Sequence, residues 1–292
     1  MAFEYLPKMD LNIDHMKVSN AHERDQHILF DEPTHVYTIL SDPGQKYTSV
    51  TTWNHGHFEG FDAPKIIDNM MKSSRWPQNK YFRKTPQEIM DLWDANRDSA
   101  ARAGTLMHFQ IECFMNLGQF VPHIKDPTLG QLYEYYLSNP ACLNITPCIE
   151  WEYFEKFVND HSHFTPYRTE WTIFHEDVKL SGSIDMVFYD PDDHNKLLIY
   201  DWKRSREIVK VNSWNKCSHK PELCHLPDTN YWHYCLQLNT YKKILEEKYN
   251  KKITNMYLIC IHPENKSKTY EKTKVAELND ELEEMFIQLK NV

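Results

Sequence analysis

The stretch Arg168–Lys203, RTEWTIFHEDVKLSGSIDMVFYDPDDHNKLLIYDWK, decides the fold of this chain. Three β-like runs lie in and just before it: Pro166–Phe174, rich in Tyr, Thr, Trp and Ile, then Val178–Phe188 and Leu197–Lys203. The breaks between them, Glu176-Asp177 and Asp190–Asn195, have the composition of turns. Breaks this short predict antiparallel hairpins, because a parallel return needs a crossover of about a dozen residues or more.

In an antiparallel hairpin the numbers of paired residues sum to a constant. A turn centred near residue 177 sets Glu170 opposite Asp185 to within one residue, and a turn centred near residue 193 sets Asp185 opposite Asp201. Opposed residues share a face of the sheet, and period-two alternation puts Asp201 and Lys203 on one face too. The expectation is that Glu170, Asp185, Asp201 and Lys203 meet on one face at nearly one level; a one-residue slip would scatter them. Three carboxylates at one spot repel each other unless a cation sits among them. Hard cations such as Mg²⁺ or Mn²⁺ take oxygen ligands, and a neighbouring lysine can hold a phosphate or position a water. A lone Asp-x-Lys reads more readily as a solvated strand end with a snorkelling lysine. With Glu170 and Gly182-x-x-Asp185 at matching spacing, the metal site is the better reading.

The chain has 292 residues, 41% of them hydrophobic, enough for one large domain or two small ones with a sizeable core. No apolar run approaches the roughly 18 residues of a membrane span. The opening MAFEYLPKMDLNIDH lacks the order of a signal peptide, and its Glu4, Asp10 and Asp14 argue against a mitochondrial transit peptide. Seven cysteines without a CxxC pair suggest reduced thiols. The expected location is intracellular, in cytoplasm or nucleus, with no membrane partner. A net charge of −9 does not suggest a general nucleic-acid coat, nor does it exclude a nucleic-acid enzyme, whose relevant charge is local.

Two windows are locally basic. In the first, Lys72, Arg75, Lys80, Arg83 and Lys84 are interleaved with Trp76, Tyr81 and Phe82, and no acid intervenes. The second, Lys203–Lys220, holds six cations, Arg204 and Arg206 among them, against Glu207 alone. Cations for phosphates and rings for bases suit a nucleic-acid strand; an ordinary solvated loop with anchoring rings is the plain alternative.

Elsewhere, His35–Leu40 and Lys46–Thr51 read as a hairpin around Asp42-Pro43-Gly44. Asp62 caps a helix to about Ser73, and Thr85-Pro86-Gln87-Glu88 is a capping box opening another. Gly104–Leu117 reads as a further helix, with Leu106, Phe109, Cys113 and Leu117 facing a core and His108 and Glu112 on another face. Leu129–Leu137, Ile149–Val158 and Tyr231–Tyr249 are expected helices, Ile253–Ile261 a buried strand, and Glu277–Lys290 an amphipathic helix.

The order Gly104-Thr105-x-x-His108, Glu170, Gly182-x-x-Asp185, Asp201-x-Lys203, Gln237-x-x-x-Tyr241 resembles the PD-(D/E)XK nuclease superfamily. It is most similar to the subset with a trailing QxxxY: the RecB nuclease domain, lambda-type exonucleases, CRISPR adaptation nucleases and the mitochondrial genome-maintenance exonuclease. The match covers about residues 47–262. The resemblance implies one α/β nuclease domain over residues 1–292, a restriction-endonuclease-like core with a central mixed sheet flanked by helices. It implies that Asp185, Asp201 and the Trp202 carbonyl ligate Mg²⁺ or Mn²⁺, with His108 a further ligand. Glu170 would bind a second metal or orient the water. Lys203 would position or activate the water and stabilise phosphate charge. Gln237 and Tyr241 would brace Lys203 and touch the substrate backbone, with Glu112 and Arg102 in weaker supporting roles.

The implied activity is metal-dependent hydrolysis of DNA at single-stranded or duplex ends, exonucleolytic and serving repair, recombination or replication. A flap or structure-specific endonuclease and an inactive nucleic-acid scaffold are the alternatives. Lambda-type relatives occur in phages and large DNA viruses, so a viral role is among the expectations. The chain departs from the pattern in having Arg204 and Ser205 after the motif lysine, and in a long interval before Gln237 that suggests an insertion over 205–229. Cys217, Cys224 and Cys235, with nearby histidines, follow no standard zinc spacing, and the cysteines do not cluster as an iron–sulfur site requires.

Overall fold

A computed structural model describes residues 11–291 of the chain. Residues 1–10, which carry part of the leader-peptide reading, and residue 292 lie outside the described residues. The helices are α1 (His15–Ser19), α2 (Val50–His55), α3 (Ala63–Lys72), α4 (Pro86–Met115), α5 (Leu129–Ser138), α6 (Ile149–Asp160), α7 (Asn230–Lys248) and α8 (Asn279–Lys290). The strands are β1 (Ile28–Asp31), β2 (Val36–Ile39), β3 (Thr48–Ser49), β4 (Pro166–His175), β5 (Leu180–Asp190), β6 (Asp193–Lys203), β7 (Ile253–Cys260) and β8 (Glu271–Lys274).

The fold is mixed α/β. β5 is the pivot of a six-stranded mixed sheet. On one edge it carries β4, antiparallel. Its other edge is shared: β3 pairs with it in parallel at Leu180 and Ser181, and β6 pairs antiparallel from Met186 onward. β7 runs parallel to β6, and β8 closes the sheet antiparallel to β7. Helices cover both faces. Residues of α7 and α8 pack with Trp171, Ile173, Ile184, Val187, Leu197 and Ile199 on one side. On the other, α4, α5 and α6 pack with Met186, Phe188, Leu198, Tyr200 and Trp202. Adjacent residues of β6 fall into opposite cores, the period-two signature of a strand buried on both faces.

The expected hairpin over 35–51 does not form. β2 instead pairs back onto β1, through a turn in which His35 takes a φ of 51°. Tyr47 and Lys179 both donate to Asp42, and the Thr48 amide donates to the Lys179 carbonyl, so this segment is drawn to the central sheet rather than to β2. The capping box at Thr85 and the segment from Gly104 belong to one helix of 30 residues. Gly104 costs that helix about 1 kcal/mol relative to Ala, too little to stop a run of Ala, Arg and Asp ahead of it. Between Ile89 and Met107 this helix buries nothing, so α3 and the first half of α4 form an arm standing off the core. The segment 205–229 is irregular, apart from a short turn of 3-10 helix at Pro221–Leu223 and an isolated bridge between Cys217 and Pro227. Among the described residues no helix is long and apolar enough to cross a membrane.

Candidate metal centre

The two hairpins keep the register that their turns predict. The pairs on either side of Glu170, Thr169↔Met186 and Trp171↔Ile184, hold one constant sum, which sets Glu170 opposite Asp185. The ladder Met186↔Tyr200 to Tyr189↔Leu197 likewise sets Asp185 opposite Asp201. Yet the two extrapolated pairs, Glu170 with Asp185 and Asp185 with Asp201, are themselves absent from the ladders. Glu170 has a φ of 42°, in the left-handed region that glutamate rarely adopts. Ile184 and Val187, three residues apart, enter the same core, so alternation is reset between them at Asp185. The expectation of one continuous face is therefore corrected. The carboxylates meet where the pleat breaks and β6 forks away from β5.

The fork is held by side chain and backbone. The Trp202 amide donates to Asp185 Oδ2 at 3.0 Å, in place of a ladder bond. The Trp202 carbonyl is 3.0 Å from His108 Nε2, which donates to it. One peptide neighbourhood thus orients a carboxylate on β5 and an imidazole on α4. His108 Nδ1 is 3.7 Å from Asp185 Oδ2 and 3.9 Å from Glu170 Oε1. One ligand atom each from His108, Glu170 and Asp185 lie within 4.8 Å of one another, and this is the one such group of metal-ligating side chains among the described residues. An N,O,O donor set with two carboxylates and an imidazole oriented by a carbonyl suits a divalent cation. Ser183 Oγ donates to Glu170 at 3.0 Å and so fixes the most accessible of these carboxylates.

Asp201 stands apart from that trio. Its buried carboxylate takes the Lys203 ammonium at 2.6 Å. Lys203 Nζ also lies 4.6 Å from the centroid of the Tyr234 ring. Burial pushes the Asp201 carboxyl up to about 7 against the pull of Lys203. Burial likewise raises Asp185, opposed by His108 and Lys203. Burial alone would lower the His108 pKa, but Asp185 and Glu170 outweigh it and raise the ring to about 9. Lys203 is raised in the same way, with Asp201 and Asp185 overcoming its burial. Glu112, one turn along α4 from His108, is pushed up to about 8 by burial and by Glu170. The site thus mixes carboxylates strained toward neutrality with two cations that stay charged.

The expected bracing of Lys203 by Gln237 and Tyr241 is corrected. Gln237 Nε2 donates to the Tyr241 hydroxyl at 3.0 Å and approaches Thr51, while Tyr241 packs on Gly182, where a Cβ would stand 2.7 Å from its ring. Tyr234 sits on Lys203 instead. It lies three residues before Gln237 and seven before Tyr241, a helical spacing that already puts it on their face. The Trp202 carbonyl, expected as a ligand, is turned to His108. Tyr37 of β2 was not foreseen: burial, then the charges of Glu170 and Asp185, raise its hydroxyl, and no local pattern in the sequence marks it.

Of the expected phosphate contacts, Arg204 is committed to Glu150 on α6, at 2.9 Å, and both side chains are largely buried. Arg206 pairs with Glu264, and Lys72 with Asp68 along α3. Arg75, Lys80, Arg83 and Lys84 form no ion pair among the described residues and occupy the tip of the arm, with Trp76 and Phe82 in edge contact. Arg102 is exposed on α4, about 9 Å up the helix axis from His108. Cys217 and Cys224 are exposed and Cys235 is buried in α7. No known family model matches this chain, and neither does any curated protein.

Proposed function

We propose that this protein is a metal-dependent deoxyribonuclease with a PD-(D/E)XK core, acting as an exonuclease on single-stranded or duplex DNA ends. The observation that carries the reading is the meeting of His108, Glu170 and Asp185 at a fork in the sheet, with the Asp201–Lys203 pair on the adjoining strand. Nothing in a purely structural role requires three carboxylates and a lysine to be gathered where a sheet opens.

His108, Glu170 and Asp185 would hold Mg²⁺ or Mn²⁺, with Asp201 next in line once Lys203 turns toward substrate. The bound ion would supply countercharge for the phosphoryl oxygens and lower the pKa of the attacking water. Lys203 keeps its charge because Asp201 and Asp185 face it, so it offers a positive group to the phosphate as it turns from Asp201. Tyr234 and Asp201 limit where that ammonium can go. Glu170, the most accessible carboxylate, is positioned by Ser183 to accept a hydrogen bond from the attacking water. The cations Arg75, Lys80, Arg83 and Lys84 on the arm, which form no ion pair among the described residues, and Arg102, nearer the site, would guide the strand through its phosphates.

The test uses end-labelled single- and double-stranded DNA with Mg²⁺ or Mn²⁺. The unmodified protein is expected to release ladders or mononucleotides, EDTA to stop it, and Lys203→Ala to slow it by roughly 10²–10³-fold, the scale of losing one preorganised charge-stabilising group. DNA that is bound but left intact with either ion would sink the catalytic reading in favour of a nucleic-acid scaffold.

A further inference from the structure

Trp214, Val211 and Phe61 are the most exposed large apolar side chains among the described residues, at 82%, 76% and 75%. An indole left in water forgoes a large burial gain, so an exposed Trp and Phe with a common setting call for an occupant. Their loops are joined. Lys216, two residues after Trp214, pairs at 2.7 Å with Glu59, two residues before Phe61. From Phe61 the rings continue: its centroid is 5.8 Å from that of Trp93, and Trp93 Nε1 donates to the Tyr81 hydroxyl at 2.9 Å. Lys80 lies over the Tyr81 ring. The two basic windows are therefore linked end to end, by the Lys216–Glu59 pair between the Trp214 and Phe61 loops and by ring contacts from Phe61 to the arm tip. One end begins at the Lys203 loop, where Lys210 and Lys220 form no ion pair among the described residues; the other is the arm tip with Lys80, Arg83 and Lys84.

We propose that Trp214 and Phe61 are a stacking surface for the bases of a single-stranded nucleic-acid segment, whose phosphates follow the flanking cations. The proposal rests on the nuclease reading and adds to it a preference for unpaired strand, since bases stacked within a duplex offer no free face to a ring. Lys203, Arg204, Arg206 and Lys216 are paired with acids, and the cations left without an ion pair among the described residues, Lys210 and Lys220 with Lys80, Arg83 and Lys84, favour a polyanion over an apolar peptide as the occupant. Glu59 is neutralised by Lys216 and Lys65, and Asp62 is spent capping α3.

The experiment is fluorescence anisotropy with a labelled oligothymidylate and a duplex of equal length, in EDTA so that nothing is cut. It is paired with metal-dependent hydrolysis of bis(p-nitrophenyl) phosphate, which is too small to reach the loops. The unmodified protein should bind the single strand more tightly than the duplex. The Phe61→Ala/Trp214→Ala double variant should bind the single strand roughly tenfold or more weakly, with duplex binding and ester hydrolysis unchanged, and Trp214→Phe should retain most of the affinity. Single-strand binding within about twofold of the parent in the double variant, alongside intact hydrolysis, would overturn this inference and leave the nuclease reading standing. A parent protein that binds neither oligonucleotide and hydrolyses neither DNA nor the ester would overturn both.

Discussion

At the scale of single residues, the site is bought with local backbone and packing constraints. Glu170 holds a positive φ opposite Asp185, and Gly182 lets the Tyr241 ring approach β5 so closely that no side chain fits between them. The φ of Gly182 is not in the left-handed region, so glycine is needed there for space rather than for backbone freedom. Gly182→Ala should therefore fold, displace Tyr241, and cost about 1–3 kcal/mol as an overpacked contact. At roughly 2–4 °C per kcal/mol for a chain of this class, thermal melting should show a drop of several degrees. A Tm unchanged within a degree would mean that Tyr241 moves aside freely and that the QxxxY face is not fixed by this contact.

At the scale of elements, the centre is shared between β4, β5, β6 and the root of α4, and one titration reports on their junction. His108 donates from Nε2 to the Trp202 carbonyl and turns Nδ1 to Glu170 and Asp185. Its folded pKa of about 9 lies above the ordinary 6.5. A raised histidine stabilises the metal-free fold fully below its ordinary value, and that contribution is lost as pH rises through about 9. A divalent ion must displace the Nδ1 proton to use this nitrogen. Mn²⁺ affinity measured by calorimetry should accordingly rise about tenfold per pH unit between pH 7 and 9 and level off above. In His108→Gln that slope should flatten. A pH-independent affinity in the parent would exclude His108 as a ligand.

At the scale of the whole molecule, α7 is tied to β4 and α8 by a small charge network, from which an acid response is predicted. Glu247 accepts from His175 Nε2 at 2.9 Å and pairs with Lys243 at 2.8 Å and Lys290 at 3.6 Å. Burial opposes ionisation of Glu247, but Lys243 and His175 outweigh it and hold the carboxyl down at about 2, against an ordinary 4.5. His175 is lowered from 6.5 by burial. Both shifts are depressions, so each contributes stability above the ordinary value that is lost as pH falls. Melting temperature should decline in two stages below pH 6.5 and again below 4.5. Glu247→Gln should melt below the parent at pH 7, with the gap closing as pH approaches 2. A gap that stays constant from pH 7 to pH 3 would show that the network is not what titrates.

The sequence by itself determined the three central strands and the hairpin register that sets Glu170 opposite Asp185 and Asp185 opposite Asp201. Turn position and polar–apolar periodicity are local, and in a hairpin they leave one register that buries the right residues. The capping box at Thr85, the helix α7 and the amphipathic helix α8 were legible for the same reason. Tertiary structure alone decided what depends on contacts between distant segments. β2 joins β1 because Asp42, Tyr47 and Lys179 draw the next segment to the sheet. Two stretches of helix merge into one 30-residue α4 because the arm has only solvent to satisfy. Tyr234 holds Lys203, and the Trp202 carbonyl turns to His108. The pleat breaks at Glu170 and Asp185, since strict alternation cannot serve two cores and bring carboxylates into the same gap. Periodicity describes a regular strand, and this site is built where the strand stops being regular.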